Sequence, residues 1–243
     1  MLEKSLNSNL SDDECALALR FEEIGEQIRR AAGGRAVRML AATKTVSADR
    51  INFAIDHLGL DLIGENRVQE LLEKYDSLHR ENLEIHFIGR LQTNKVKYIV
   101  DKVDMIESVD SLKLAEEISK RSLKIGKVMD VLIEVNVGSE ESKGGIDVAQ
   151  LSDFWDAVAA LEGVRVCGIM VIPPRCGENE DSKKYFLESF QIFLDIREKK
   201  HHNIRRPLIL SMGMSDTFVP AIECGSDQVR LGSALFGNRI YLK

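Results

Sequence analysis

Cysteine is scarce in this sequence and follows no pattern: Cys15, Cys167, Cys176 and Cys224 lie far apart, without a CxxC pair or a histidine at ligand spacing. That argues against a disulfide framework or a zinc site and fits ordinary thiols in a reducing compartment. Long apolar runs are missing too. None approaches the ~20 residues needed to span a bilayer, and the opening MLEKSLNSNLSDDE is polar and acidic, unlike a signal sequence. A cytoplasmic protein with no membrane partner is expected. Nor is there an excess of positive charge: 33 Lys and Arg stand against 39 Asp and Glu, well mixed, for a net charge of -6. No basic stripe marks a nucleic-acid surface, so no nucleic-acid partner is expected. Neither GxxxxGK[ST] nor GxGxxG occurs, which makes a nucleotide a poorer ligand than a compact phosphorylated molecule. What is present is a balance of 44% hydrophobic and 30% charged residues over 243 positions, ample for one large domain.

From Val37 onward, apolar runs alternate with amphipathic segments. Ahead of them a helix is predicted over about 12–32, opening on acidic residues, setting Leu17, Phe21, Ile24 and Ile28 at helical spacing and stopping at Gly33-Gly34. VRMLAATK reads as a strand, and SADRINFAIDHLG as a helix capped by Ser47 and ended by Gly59. The unit recurs as LDLIGE with RVQELLEKY, EIHFIGR with NKVKYIV, and MIESV with SLKLAEEISKRS capped by Ser111. It continues as VMDVLIEVNVG with VAQLSDFWDAVAAL capped by Asp147, VRVCGIMVI with SKKYFLESFQIFLDIREKK, PLILSMG with VPAIECG, and QVRLGS. Apolar strands between helices indicate a parallel sheet covered by helices. About eight units without a composition break favour a closed barrel over an open doubly wound sheet. The expectation is therefore one α/β domain over 1–243, a (β/α)8 TIM-like barrel from about 37 with an extra N-terminal helix.

Polar residues gather at the strand ends: Lys44, Glu65-Asn66, His86, Asn136, Ser211 and Arg230. In a parallel barrel these ends open on one face, where active sites form. Lys44 closes an otherwise apolar run, and a lysine amine there is a nucleophile for Schiff-base formation with a carbonyl; spacing alone equally fits a lysine snorkelling into solvent. SMGMSDTF (211–218) and RLGSALFG (230–237) are Gly- and Ser-containing turns ahead of short helices. Such turns, after the seventh and eighth strands, are a recurrent phosphate site. A lysine and a phosphate cradle in one mouth meet the minimal requirement for pyridoxal 5'-phosphate (PLP). Arg230 adds a permanent charge able to face the heteroaromatic nitrogen and oppose its protonation; an ion pair with Glu65 or Glu134 at the rim is the competing assignment.

The segments AATKTVSADRINFAI, LIGENRVQELLEKY, HFIGRLQTNKVKYI, LIEVNVGSEESKGGI, GIMVIPP and LSMGMSDTFVPAIECGSDQVRLGSALFG resemble the pyridoxal phosphate homeostasis protein family, in the family's order, from about Val37 to Phe236. The resemblance implies a fold-type III barrel like the N-terminal domain of alanine racemase, with PLP held as an aldimine on Lys44. It also implies that Asn66 and His86 line the site, that Ser211, Gly232 and Ser233 hold the phosphate, and that Arg230 faces the pyridine nitrogen. Thr217, Arg90 and the form IMVIPP depart from the family pattern without touching these positions.

The resemblance further implies a non-catalytic protein that buffers and delivers the cofactor, with apo PLP-dependent enzymes as recipients and a monomer or weak dimer as its state. The alternative is a PLP-dependent amino-acid racemase or decarboxylase. A racemase of this type takes its second acid/base, a tyrosine, from a separate C-terminal domain, and Tyr75, Tyr98, Tyr185 and Tyr241 are not placed to supply it. A third possibility is docking of another protein through ESKGG, where Lys143 is a candidate second aldehyde-reactive amine. His201-His202 read as helix-end cations.

Overall fold

The computed structural model describes residues 10–138, 144–174, 182–200 and 207–237. The first helix, α1 (Asp12–Ala32), has the bounds that its apolar spacing predicts. A cap not anticipated from sequence starts it: Glu14 N–H donates to the Ser11 hydroxyl, while the Glu14 carboxylate accepts from the Ser11 backbone. Gly33 ends it in the left-handed conformation.

Eight parallel strands then close a ring: β1 (Arg38–Ala42), β2 (Leu62–Glu65), β3 (Glu84–Phe87), β4 (Met105–Val109), β5 (Met129–Asn136), β7 (Val164–Val171), β8 (Ile209–Met214) and β9 (Gln228–Leu231). Closure comes from β9 pairing with β1 and β4 with β5. A two-residue strand, β6 (Ile146–Asp147), adds to the end of β5. Between them run α2 (Ala48–Leu58), α3 (Val68–Lys74), α4 (Val96–Ile99), α5 (Leu112–Lys124), α6 (Leu151–Ala159), α7 (Lys183–Lys200), α8 (Phe218–Glu223) and α9 (Ser233–Phe236). NKVKYIV yields only the single turn of α4 after a 3-10 turn, Thr93–Lys95. Ser47 and Ser111 stand at N-cap positions without a side-chain cap hydrogen bond; VAQ is a 3-10 turn ahead of α6. Lys143, Cys176, His201-His202 and Tyr241 lie outside the described residues.

Alternation along the strands divides the buried residues between two surfaces. Ala41, Ile63, Phe87, Ile106, Val131 and Leu231 pack in a core cluster that includes Leu17 and Phe21 of α1. At about 1.5–3 kcal/mol for each fully buried large side chain, this layer is the main stabilising contribution. The inward positions hold smaller apolar groups, Leu40 with Leu62 and Met105 with Leu132 and Met170. The buried His86, Glu107, Ser211, Gln228 and Arg230 share the interior. Buried polar groups are tolerated only when paired, so their partners decide what this interior does.

Candidate functional site

Lys44 lies two residues past β1, in the turn Thr43–Val46 closed by Val46 N–H donating to the Thr43 carbonyl at 3.0 Å. Thr45 takes a φ of 65°, unusual for a β-branched residue. The turn is fixed from α3. Lys74 Nζ donates to the carbonyls of Thr43 (2.9 Å) and Val46 (3.2 Å) and to Glu65 Oε1 (2.9 Å), while Thr45 N–H donates to Glu70 (2.9 Å). Glu65 is fully buried and also accepts from the Thr43 hydroxyl. Glu65 therefore faces α3 and not the barrel mouth. Lys44 itself is half-buried, and among the described residues its amine has no hydrogen-bond or ion-pair partner.

Lys44 lines a cavity of about 520 Å³ together with Ala42, Asn66, Gly232, Ser233, Arg20, Arg50 and Phe236. Gly232 brings backbone to within contact of β1: a Cβ there would lie 3.4 Å from the Ala42 carbonyl oxygen. Gly232 N–H and Ala234 N–H both point to the Ser215 hydroxyl, at 3.1 and 3.2 Å. Arg20 and Arg50 reach over from α1 and α2 to donate to the Leu235 and Phe236 carbonyls, and Arg50 is paired with Asp13. The lining thus combines an unengaged amine, a glycine turn at the start of a short helix and an excess of cationic side chains. Those are the groups that a phosphorylated aldehyde requires.

Beneath the cavity a polar chain runs through the barrel. Arg38 pairs with Glu84, Glu84 Oε1 meets His86 Nε2 at 2.7 Å, and His86 Nδ1 meets Glu107 Oε1 at 2.6 Å. Glu107 accepts further from Gln228 Nε2 and the Ser211 hydroxyl, both at 2.7 Å, and Ser211 Oγ accepts from Arg230 Nη1 at 2.8 Å. Burial works against the His86 imidazolium, but hydrogen bonds to Glu107 and Glu84 outweigh it and hold its pKa above the usual histidine value. Burial would likewise raise Glu107; the hydrogen bond and charge of His86, with Arg230 and Ser211, keep it below the usual carboxylate value. The His86 hydrogen bond, helped by Arg38, takes Glu84 down to about 2.

Of the residues expected at the site, Lys44, Asn66, Gly232 and Ser233 meet on the cavity wall. His86, Ser211 and Arg230 do not belong to that wall: both His86 nitrogens and the Ser211 hydroxyl are consumed by carboxylates and Arg230 inside the barrel. Arg230 donates to Ser211 and to the Val171 carbonyl rather than pairing directly with Glu65 or Glu134. The hydroxyl at the glycine turn is that of Ser215, four residues beyond Ser211 in the same motif. Ser215, Lys74, Glu107 and Gln228 were not singled out from sequence. The available signal was a glutamate inside the apolar strand MIESV, since a buried charge demands partners. Among the described residues no cluster of His, Cys, Asp and Glu is arranged to hold a metal, and no helix is long and apolar enough to cross a membrane.

The family profile described as alanine racemase, N-terminal domain, matches residues 21–239. A pyridoxal phosphate homeostasis protein of Aquifex aeolicus is 44% identical over 227 residues, covering 91% of this chain and 98% of the relative. Its counterpart in Escherichia coli K12 is 35% identical over 210 residues, covering 85% and 88%. The solved structure of PipY from Synechococcus elongatus with PLP bound has a TM-score of 0.80 at 29% identity, covering 91% of this chain and all (100%) of that one.

Proposed function

The chain belongs to the alanine racemase N-terminal domain family, among its pyridoxal phosphate homeostasis proteins, and from that premise we propose that it is a non-catalytic carrier that binds PLP on Lys44. The observation that carries the reading is the half-buried amine of Lys44, without a partner among the described residues and facing the same cavity as the Gly232-Ser233 turn. Bound there, the cofactor supplies an aldehyde for the amine and a ring able to withdraw electrons. Lys44 would be the tether, Asn66 would line the site, Ser233 at the Gly232 turn would offer a donor to the phosphate, and Arg230 would face the ring nitrogen, as the family resemblance implies. A permanently charged guanidinium at that nitrogen opposes its protonation and weakens the ring as an electron sink. Ser211 and His86 act through Arg230. The cell compartment is the cytoplasm, the recipients are apo PLP-dependent enzymes, and the chain works as a monomer or weak dimer.

A racemase or decarboxylase reading needs a second acid/base group opposite Lys44. Among the described lining residues the carboxylate is that of Asp13, and Arg50 occupies both of its oxygens. The test is to add PLP to the purified full chain, reduce with borohydride and map the modified peptide. Visible absorption and a label on Lys44, both lost in Lys44→Ala, are expected, with no sustained product from added amino acids. A protein that takes up no PLP overturns binding, and Lys44-dependent turnover overturns the carrier.

A further inference from the structure

We infer that Glu107 is a positioning residue for Arg230, acting through Ser211, and that the barrel interior thereby holds the guanidinium in one fixed orientation. The inference rests on the reading that Arg230 meets the ring nitrogen.

The hydrogen bonds of this polar network converge on the oxygens of Ser211 and Glu107. A guanidinium only donates, so the Ser211 oxygen accepts from Arg230 at 2.8 Å. Gln228 Nε2 also donates to that oxygen, at 3.2 Å. The hydroxyl has a single proton, which goes to Glu107 Oε2 at 2.7 Å. Glu107 Oε1 in turn accepts from Gln228 Nε2 and His86 Nδ1. Each group that Glu107 meets is therefore a donor, and only the carboxylate form satisfies them all. On the far side, His86 Nε2 meets Glu84, which is already paired with Arg38, so the imidazole carries both protons. Charge alternates along the network: Arg38 positive, Glu84 negative, His86 positive, Glu107 negative, Arg230 positive.

Arg230 is 5% exposed, and its second anchor, Nη2 to the Val171 carbonyl at 2.9 Å, is a neutral backbone group. Glu134 and Glu107 are the carboxylates whose charges act on Arg230. Glu107 acts on Arg230 more strongly than Glu134 does, and it is Glu107 that is linked to Arg230 by hydrogen bonds through Ser211. An amide in place of Glu107 sets a donor against His86, Gln228 or Ser211. One of the bonds must then break, and where the amide NH2 is turned to Ser211 that residue loses the acceptor that orients it toward Arg230.

The test compares wild type, Glu107→Gln, Ser211→Ala, and Glu107→Gln combined with Gln228→Glu, all as full chain. In the cofactor-free protein, side-chain nitrogen NMR should resolve slowly rotating Arg230 Nη groups in wild type and lose them in both single variants. The combined variant returns a carboxylate to Ser211 and should regain them. PLP affinity should fall about tenfold in the single variants, as for loss of a hydrogen bond to a charged group, while affinity for inorganic phosphate stays unchanged. Arg230 signals that persist in both single variants overturn the inference. Equal loss of PLP and phosphate affinity also overturns it, because that marks a general collapse. Failure of wild type to take up PLP overturns the functional reading alone, since the NMR comparison still decides the positioning.

Discussion

Asn66 reaches the cavity where the chain crosses above Gly89, and a Cβ on Gly89 would lie 2.1 Å from the Asn66 carbonyl oxygen and 2.7 Å from its Cα. Both obstacles are backbone, so no rotamer change relieves them. Ser108 adds a second constraint by donating to the Gly89 carbonyl at 2.6 Å, which holds this residue in place from β4. Gly89→Ala is accordingly expected to cost about 1–3 kcal/mol by overpacking. For a chain of this size that lowers Tm by roughly 2–4 °C per kcal/mol, as scanning calorimetry would register. Displacement of Asn66 should also weaken cofactor uptake while the borohydride-trapped product on Lys44 still forms. Unchanged Tm and uptake would mean that the loop moves freely, contrary to its packing. The family motif that contains Asn66 is visible in sequence; the reason Gly89 must stay small is not, because it depends on contact between two separate strand ends.

Helix α3 holds the Lys44 turn as an element, through Lys74, Glu70 and the buried Glu65 of β2. Lys74 uses its three N–H groups on two turn carbonyls and one carboxylate. Lys74→Met keeps the stem but strands Glu65, whose second oxygen is already buried without a partner. Leaving a buried charge unpaired costs about 3–5 kcal/mol, so the urea midpoint should fall strongly, and adding Glu65→Gln should recover part of the loss. A Lys74→Met protein as stable as wild type would remove α3 from the account of the turn. The elements themselves were largely legible. Apolar spacing gives α1 to its observed ends and places all eight barrel strands, because burial periodicity is local information. Side-chain direction was less legible. Glu65 looked like a rim residue but turns outward to Lys74. Ser211 looked like a phosphate ligand, but β8 bulges between Ser211 and Met214 around Gly213 (φ 94°), which leaves Ser211 inside and brings Ser215 to the turn. A bulge inserts a residue without changing composition, so which serine of the motif stands at the glycine turn is not legible from strand-end counting.

Across the whole molecule, the alternating charges of the barrel interior tie stability to pH, and the sign follows from each group. His86 has its pKa raised in the folded state, so its contribution is complete below the unfolded value of 6.5 and is lost as pH rises from there through the folded value. Glu84, held at about 2 against 4.5 unfolded, contributes above 4.5 and loses that contribution as pH falls toward 2; Glu107 moves in the same direction. Burial raises Glu134 and Asp227, which therefore oppose Glu84 and Glu107 on the acid side and blunt that limb. A decline as pH rises above 6.5 is the sign expected of the raised His86, whereas Lys127, held below the usual lysine value by burial, runs the other way. A tenfold gain in proton affinity on folding corresponds to about 1.4 kcal/mol. Urea unfolding from about pH 5 to about pH 9 should therefore show stability declining on the alkaline side in wild type. In His86→Gln, which cannot titrate there, the curve should start lower and run flat. A wild-type curve already flat over that range, or a variant with the same slope, would show that the proton on His86 is not what joins Glu84 to Glu107.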